Sequence, residues 1–288
     1  MKRIFCLLLI SMPFLATSQV GSEIYLFDVQ LSGDKMGISN PKNVTNHPGY
    51  DNQPSFHSSK SLLFYSSFND EGRSDIKVYD YKTGKTTSLT STTEREYSPT
   101  LTPDEKFISC IIQRDNDAQD LGKYPIEGGE PITLIDNLIV GYHAWVDADN
   151  LILFVLGESM TLQWYDLKNK KAEILEQSIG RSLHKISGEN AMSFIHKRSE
   201  NDWVINRLDI ISKKITTITS TLKGSEDITW TNDGRIISSD GEKLFFYNPK
   251  LKSEWKEIEM NLGNIKISDI TRLAITKDGK KLAVVVSE

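Results

Sequence analysis

Residues 99–112 of this chain read Pro99-Thr100-Leu101-Thr102-Pro103-Asp104-Glu105-Lys106-Phe107-Ile108-Ser109-Cys110-Ile111-Ile112, a polar turn between two segments typical of β-strands. The element Pro103-Asp104-Glu105 supplies residues that favour a tight turn, because proline presets φ and aspartate bonds its own backbone. The run that follows is rich in isoleucine, which packs well on a pleated surface. The stretch therefore predicts an antiparallel pair of strands joined by a hairpin turn.

The same shape recurs along the chain with a period of about 44 residues. We take the residue that closes each first strand as an anchor. The six anchors are Phe56, Leu101, Trp145, Lys185, Trp230 and Ile275, at spacings of 45, 44, 40, 45 and 45. An apolar residue follows seven positions after each anchor, in the order Leu63, Ile108, Ile152, Met192, Ile237 and Leu282. This register indicates a structural repeat, although the Lys185 copy is degenerate.

Each repeat contains further strand signals after its hairpin. An alternating third strand is predicted at 75–80, 162–166, 204–209 and 244–248, and a fourth strand at 86–90. No stretch after the N-terminal segment shows helical periodicity over a dozen residues. Four strands in 40 to 45 residues is the unit of a β-propeller blade, so we predict an all-β propeller.

The two ends of the repeat array complement each other. Residues 23–28 match a third strand, and residues 281–286 match a second strand that follows the last anchor. Five complete blades and one shared blade make six. We therefore predict a six-bladed β-propeller over residues 19–288, as a single domain. Its last blade takes two outer strands from the N-terminus and two inner strands from the C-terminus, a closure that leaves no open sheet edge.

The first eighteen residues have the pattern of a secretory signal peptide. Met1-Lys2-Arg3 is cationic, residues 4–16 are mostly apolar, and small residues at Ala16 and Ser18 favour cleavage after Ser18. The apolar run is too short to span a bilayer, and no later run approaches spanning length. We therefore predict a periplasmic or secreted protein with no integral membrane segment after signal removal.

Composition excludes several classes of protein. The chain has 288 residues with 38% hydrophobic and 25% charged residues, which is ordinary globular composition. Its 34 basic and 39 acidic residues give a net charge of −5, and no polybasic run favours nucleic acid.

Cleavage would leave Cys110 as the single cysteine, so no intramolecular disulfide is expected. Its apolar surroundings predict a buried, unreactive thiol.

The repeats resemble a known family. The pattern aromatic-Ser/Thr-Pro-Asp-Gly-Lys, an apolar strand, a Gly-containing loop and Asp-Ile-aromatic-Val-x-Asp resembles the WD40-like (PD40) propeller repeats of the TolB family. Residues 56–80 and 101–124 are the best copies, and 230–248 and 275–286 are partial ones. The resemblance implies a bacterial periplasmic or secreted propeller that binds protein partners. Similar blades also occur in the non-catalytic domains of prolyl-oligopeptidase-like proteases, and a shared fold does not transfer function.

Catalytic motifs are missing from the sequence. It has no Gly-x-Ser-x-Gly, His-Glu-x-x-His, Cys-x-x-Cys or phosphate-binding glycine loop, so no catalytic residue and no cofactor is predicted. The acidic loop at Asp115, Asp117 and Asp120 lacks the glycine and glutamate of an EF-type calcium loop, which favours a solvated hairpin loop.

The loops that enter the innermost strands line one mouth of a propeller's central channel. The predicted ligand-binding residues there are Gln53, Tyr97, Tyr142, His143, Arg181, His184, Asp227 and Arg272. A mixed polar and aromatic ring of this kind suits a peptide or small polar ligand, and the alternative is that these residues are ordinary solvated loop residues. A zinc or manganese site on His143 and His184 is disfavoured, because their positions relative to their anchors predict opposite faces of a strand. We assign no metal.

Three function hypotheses remain open at this point. The first is a non-catalytic, monomeric scaffold that binds a protein or peptide partner in the cell envelope through the channel mouth. The second is a small-molecule enzyme, a metal-dependent lactonase or lyase with its active site in the channel. The third is a sugar-binding or envelope-attached module, which only the aromatic content supports.

Overall fold

The computed structural model describes residues 21–252 and 254–287, which form strands, turns and bends and contain no helix. The predicted signal peptide, residues 1–18, lies outside the described residues. In chain order, the strands are β1 (Ser22–Ser32), β2 (Lys35–Asn43), β3 (Asp51–Phe56), β4 (Leu62–Phe68), β5 (Ser74–Asp80), β6 (Lys85–Ser88), β7 (Arg95–Leu101), β8 (Phe107–Gln113), β9 (Gln119–Pro125), β10 (Ile132–Ile135), β11 (Val140–Trp145), β12 (Asn150–Val155), β13 (Thr161–Asp166), β14 (Lys171–Gln177), β15 (Ile179–Lys185), β16 (Ala191–Ser199), β17 (Asp202–Asp209), β18 (Ile215–Ser220), β19 (Ile228–Trp230), β20 (Ile236–Ser239), β21 (Leu244–Tyr247), β22 (Lys256–Glu257), β23 (Glu259–Met260), β24 (Ile270–Ile275) and β25 (Lys281–Ser287).

These strands form six sheets, the blades of a propeller. Blades I to V are β3–β6, β7–β10, β11–β14, β15–β18 and β19–β22, each a four-stranded antiparallel meander. Their first strands contact one another around the centre, so β3, β7, β11, β15, β19 and β24 are the inner strands. The predicted all-β, six-bladed architecture is confirmed.

The repeat register has a direct structural meaning. Each of the six anchors is the last residue of an inner strand. The residue seven positions later lies on the second strand of the same blade, and all six of these side chains are fully buried. Burying a side chain of this size stabilises a fold by about 1.5–3 kcal/mol, so the hydrophobic effect sets the register of each hairpin.

Blade VI joins the two ends of the array. Its strand order is β2-β1-β25-β24, so the C-terminal strands are inner and the N-terminal strands are outer, as predicted. β1 and β25 run antiparallel, with Glu23 opposite Val286 and Asp28 opposite Lys281. Phe27 and Leu282 face each other in this pair, and both are fully buried. The closing sheet therefore has an apolar centre like that of the other blades.

One strand of blade VI was not anticipated. β23 comes from the segment after blade V and pairs in parallel with β2, where Gly37 lies opposite Glu259 and Ile38 opposite Met260. It covers the outer edge of the closing sheet, which would otherwise present unpaired backbone groups. The fourth strand of blade V is correspondingly short, since β22 has only two residues.

Cys110 and the acidic loop at residues 115–120 differ in their exposure to solvent. Cys110 is fully buried, and burial raises the pKa of its thiol well above the ordinary value. The acidic loop is solvent-exposed at residues 115–117, and at the surface the Asp115 carboxylate accepts hydrogen bonds from Arg73 and Arg95. Within residues 21–252 and 254–287, no helix has the length and apolarity needed to cross a membrane.

Candidate functional site

The inner strands surround a central cavity of about 490 Å³. Every blade contributes the residues three and one positions before its anchor, because alternate side chains of a strand point the same way. The first set comprises Gln53, Ser98, Tyr142, Ser182, Asp227 and Arg272. The second set comprises Ser55, Thr100, Ala144, His184, Thr229 and Ala274. The cavity therefore has two stacked rings of side chains, and the ring nearer the strand starts carries the larger and charged groups.

Irregular backbone shapes the first ring. β3, β7, β11, β15 and β24 each shift register against their second strands just before or at this ring, where a β-bulge re-aims the side chains. Gln53 and Ser98 adopt left-handed backbone, with φ of 57° and 55°. Non-glycine residues in this region carry strain and cluster at functional sites. Gln53 also joins two blades, since its Oε1 accepts the backbone N–H of Ser98 at 2.7 Å.

Charged groups from three blades meet at this ring. Arg181 of blade IV grips the Asp227 carboxylate of blade V with two bonds, Nε to Oδ1 at 3.2 Å and Nη2 to Oδ2 at 2.7 Å. Arg272 of blade VI approaches the same carboxylate, with Nη1 3.3 Å from Oδ1. Two guanidinium groups thus share one carboxylate at the cavity wall.

An aromatic ring extends this network to blade III. Nη2 of Arg272 donates to the Tyr142 hydroxyl at 2.9 Å, and its guanidinium carbon lies 5.3 Å from the centre of the Tyr142 ring. Tyr142 in turn packs edge-on against Phe154, with ring centres 5.5 Å apart. Four of the predicted site residues, Tyr142, Arg181, Asp227 and Arg272, are therefore in one connected cluster.

Burial and the neighbouring Asp227 carboxylate have opposite effects on the pKa of Arg181. Burial disfavours its charged form, but the hydrogen bond and the charge of Asp227 outweigh burial, so the pKa of Arg181 is raised. Its backbone N–H donates to Glu226 Oε1 at 2.9 Å, and Lys197 Nζ lies 3.0 Å from the same oxygen. Glu226 is therefore balanced by Lys197 outside the cavity, and the guanidinium of Arg181 remains available to the cavity.

The two histidines of the predicted set have separate partners. Nε2 of His143 lies 2.7 Å from Ser109 Oγ of the preceding blade, and Nε2 of His184 lies 2.9 Å from Ser182 Oγ. Burial lowers the pKa of His143 to about 3 and that of His184 to about 4, so both rings are neutral at pH 7. Among the described residues, no three histidine, cysteine or carboxylate side chains are grouped to hold a metal ion.

Seven of the eight predicted residues line the cavity, and Tyr97 is the exception. Tyr97 lies four positions before its anchor, where the bulge in β7 turns Ser98 toward the channel instead. The Tyr97 ring packs beside Phe68, with ring centres 6.3 Å apart, and Phe68 in turn lies against Tyr50. These three aromatic residues form a row outside the cavity wall, and Tyr50 and Phe68 line a separate depression beside His47. Sequence reasoning missed the small hydroxyl residues of the rings, although their offsets from the anchors follow the repeat.

Comparison with known proteins agrees on the fold. No protein-family model and no curated protein matches the sequence. Among solved structures, a protein provisionally assigned as TolB from Agrobacterium tumefaciens superposes with a TM-score of 0.72 at 13% identity, covering 94% of this chain and 99% of that one. TolB from Acinetobacter baumannii gives a TM-score of 0.58 at 15% identity, over 93% of this chain and 65% of that one.

An enzyme shares the architecture as well. An oligogalacturonate lyase solved in complex with manganese superposes with a TM-score of 0.60 at 11% identity, over 94% of this chain and 99% of the lyase. Identities this low establish a common propeller fold. The chemistry of this chain must be argued from its own cavity.

Proposed function

We propose that this protein is a non-catalytic scaffold that binds a protein or peptide partner through the mouth of its central cavity. The observation that carries this proposal is the Tyr142–Arg272–Asp227–Arg181 cluster, which places fixed hydrogen-bonding and aromatic groups at the opening of a cavity of about 490 Å³. A cavity of this size suits a side chain or a short chain segment. The TolB-like structural neighbours fit such a role, and the predicted signal peptide would deliver the protein to the periplasm or the exterior.

The test compares variants that keep the fold but change the mouth. Alanine at Arg272 or Arg181 leaves Asp227 one guanidinium partner, so neither single substitution strands a charge. Cross-linked complexes recovered from the native envelope should lose the same partner in Arg272→Ala, Arg181→Ala and Tyr142→Ala. Arg207→Ala is the matched control, because Arg207 lies on the third strand of blade IV, pairs with Glu189 and Asp209, and does not line the cavity. If all four variants retained the partner equally, the partner would not bind at the channel mouth and that part of the proposal would be wrong.

The expected leader is tested separately. Export from a bacterial host should yield a mature protein whose first residue is Gln19, identified by intact mass. Light scattering of that product should give the mass of a monomer. An uncleaved chain retained in the cytoplasm would contradict the proposed location.

A channel enzyme is the second candidate function. It is favoured by the lyase among the structural neighbours and by the Ser182–His184 contact inside the cavity. The lowered pKa of His184 makes its ring a weak base, which disfavours general-base chemistry near neutral pH. Metal analysis of the purified protein, and turnover assays on lactones and acidic oligosaccharides with added calcium, manganese or zinc, separate the two functions. Turnover that His184→Gln abolishes would establish the enzyme.

A further inference from the structure

The cavity is positively charged although the whole chain is acidic. Its lining includes four cationic side chains, from Arg181, Arg272, Lys185 and Lys277, and among the described lining residues Asp227 alone is a carboxylate. The three lining histidines are neutral, because burial lowers the pKa of each. The chain as a whole has a net charge of −5. A cavity opposite in sign to the rest of the surface attracts and concentrates anions.

Each of the two arginines has N–H donors that form no hydrogen bond with the described residues. A guanidinium carries five N–H groups. Arg272 uses one on Asp227 and one on Tyr142, and its Nε has no hydrogen-bond partner among the described residues. Arg181 directs Nε and Nη2 at Asp227, and its Nη1 amino group has no hydrogen-bond partner among the described residues. Arg181 therefore keeps three N–H groups for a ligand, and Arg272 keeps two on its Nη atoms, since its Nε is buried.

The charge balance selects the kind of anion. Two guanidinium groups face one carboxylate at this ring, so one further single negative charge makes the mouth neutral. A carboxylate has that charge, and its two oxygens match the planar fork of a guanidinium. A doubly charged phosphate would give the group of two arginines and Asp227 a net negative charge. The second ring offers the hydroxyls of Ser55, Thr100 and Thr229 farther inside, which suit the polar backbone of a peptide.

We infer that the mouth formed by Arg181, Arg272 and Tyr142 is a carboxylate-binding site for a peptide, taking either a C-terminal carboxylate or an aspartate or glutamate side chain. This inference rests on the proposed function, since it names the chemical group by which the peptide is recognised. The peptide carboxylate accepts hydrogen bonds from the N–H groups of the two guanidiniums that Asp227 leaves unbonded.

A selection experiment tests the peptide part. A random octapeptide library with free C-termini is selected on the wild-type protein, and the enriched peptides are resynthesised with amidated C-termini and with Glu and Asp replaced by Gln and Asn. One of these two changes should weaken binding at least about tenfold, equal to about 1.4 kcal/mol. The Arg272→Gln and Arg181→Gln variants should show the same loss, and Arg207→Gln should not. Enriched peptides that tolerate both changes would overturn the carboxylate site and leave peptide binding intact.

A small probe tests the anion part without any peptide. Glutarate is titrated into the labelled protein while the arginine Nε–H resonances are followed by NMR, with glutaramide as the uncharged control. Shifts at Arg181 and Arg272 with glutarate alone support the site. If these shifts occur and the library yields no binder, the proposed function fails and the anion site stands. If glutarate and glutaramide behave alike, the carboxylate inference is wrong.

Discussion

The indole N–H of Trp230 donates to Ser193 Oγ at 2.8 Å, and this bond crosses from the inner strand of blade V to the second strand of blade IV. Trp145 makes the equivalent bond to Ser109 of blade II, at 2.9 Å. Both tryptophans are anchors, and both serines lie eight positions after the anchor of the preceding blade. At each of these two seams, a hydrogen bond between a tryptophan and a serine therefore links neighbouring blades, and the Trp230–Ser193 bond is buried.

Replacing Trp230 by Phe should lower the free energy of unfolding by about 2 kcal/mol, because it leaves buried Ser193 without its donor and vacates part of the seam. Urea denaturation measures the effect. In a double-mutant cycle with Ser193→Ala, the two losses should be less than additive by at least about 0.5 kcal/mol. Trp255→Phe is the control, because its indole bonds an exposed backbone carbonyl. Strict additivity would show that the bond contributes nothing.

Alanine at Leu282 should destabilise the propeller by about 2–5 kcal/mol. Leu282 is fully buried in the closing sheet, opposite Phe27 of the N-terminal strand. The matched Leu251→Ala removes the same atoms from an exposed turn and should change the free energy of unfolding by less than about 0.5 kcal/mol. Similar values for the two variants would contradict a closing sheet made from both ends of the chain.

Stability should fall with rising pH through the titration of Asp51. Its carboxyl is almost completely buried, and burial raises its pKa from 3.8 to about 6. The folded state thus binds this proton more tightly, so the contribution is complete below about pH 4 and is lost as pH rises through about 6. A shift of this size corresponds to about 3 kcal/mol. Asp51→Asn should be more stable than wild type at pH 8, and the advantage should vanish near pH 4. An advantage that grows toward acid would contradict the burial of a protonated Asp51.

His143 should stay neutral from pH 8 down to pH 5. Burial lowers its pKa to about 3, and Ser109 Oγ can donate its own proton to the Thr100 carbonyl, so the imidazole proton is expected on Nε2. Ring ¹⁵N chemical shifts should therefore report one neutral tautomer across this range. The same residue in the urea-unfolded chain should titrate near 6.5. Because the folded pKa is depressed, this group lowers stability as pH falls below about 6.5. If His143 titrated near pH 7 in the folded state, its imidazole would be exposed to solvent and the prediction would be wrong.

Asp227→Asn should strengthen glutarate binding, the opposite of what loss of a site residue usually does. The substitution removes the one carboxylate that competes for Arg181 and Arg272. Taking away a charge about 6 Å from a bound anion at an effective dielectric constant of about 20 favours binding by about tenfold or more. Asp233→Asn removes a carboxylate that pairs with Arg235 instead, and should leave glutarate affinity unchanged. Weaker binding by Asp227→Asn would place the anion elsewhere.

The repeat made most of the fold predictable. A turn signal just after the anchor and an apolar residue seven positions after the anchor occur once per blade, and each depends on backbone conformations within about ten residues. The closing pair of β1 and β25 could also be predicted, since unpaired edge strands at both ends leave one low-energy partner for each. The strand β23 could not, because residues 259–260 have no pattern that distinguishes them from a loop. They form a strand only where the edge of β2 lies beside them.

The candidate site was partly predictable for the same reason. Offsets from the anchors placed Tyr142, Asp227 and Arg272 correctly at the channel, because alternation along a strand is local. Tyr97 was expected at the channel and packs on Phe68 instead. Its position depends on a β-bulge that shifts the alternation by one residue, and nothing in residues 95–101 signals that shift.

The sequence by itself determined the number of blades, the order of the four main strands of each blade and the buried face of the second strands, since these follow from local turn chemistry and from hydrophobic periodicity. Only the tertiary structure decided which charges meet. Arg272 and Tyr142 are 130 positions apart in the sequence, yet Nη2 of Arg272 lies 2.9 Å from the Tyr142 hydroxyl oxygen. Arg181 reaches Asp227 across a blade seam. These contacts arise because a closed ring brings the starts of all inner strands to one opening, and the bulges there set the final direction of each side chain.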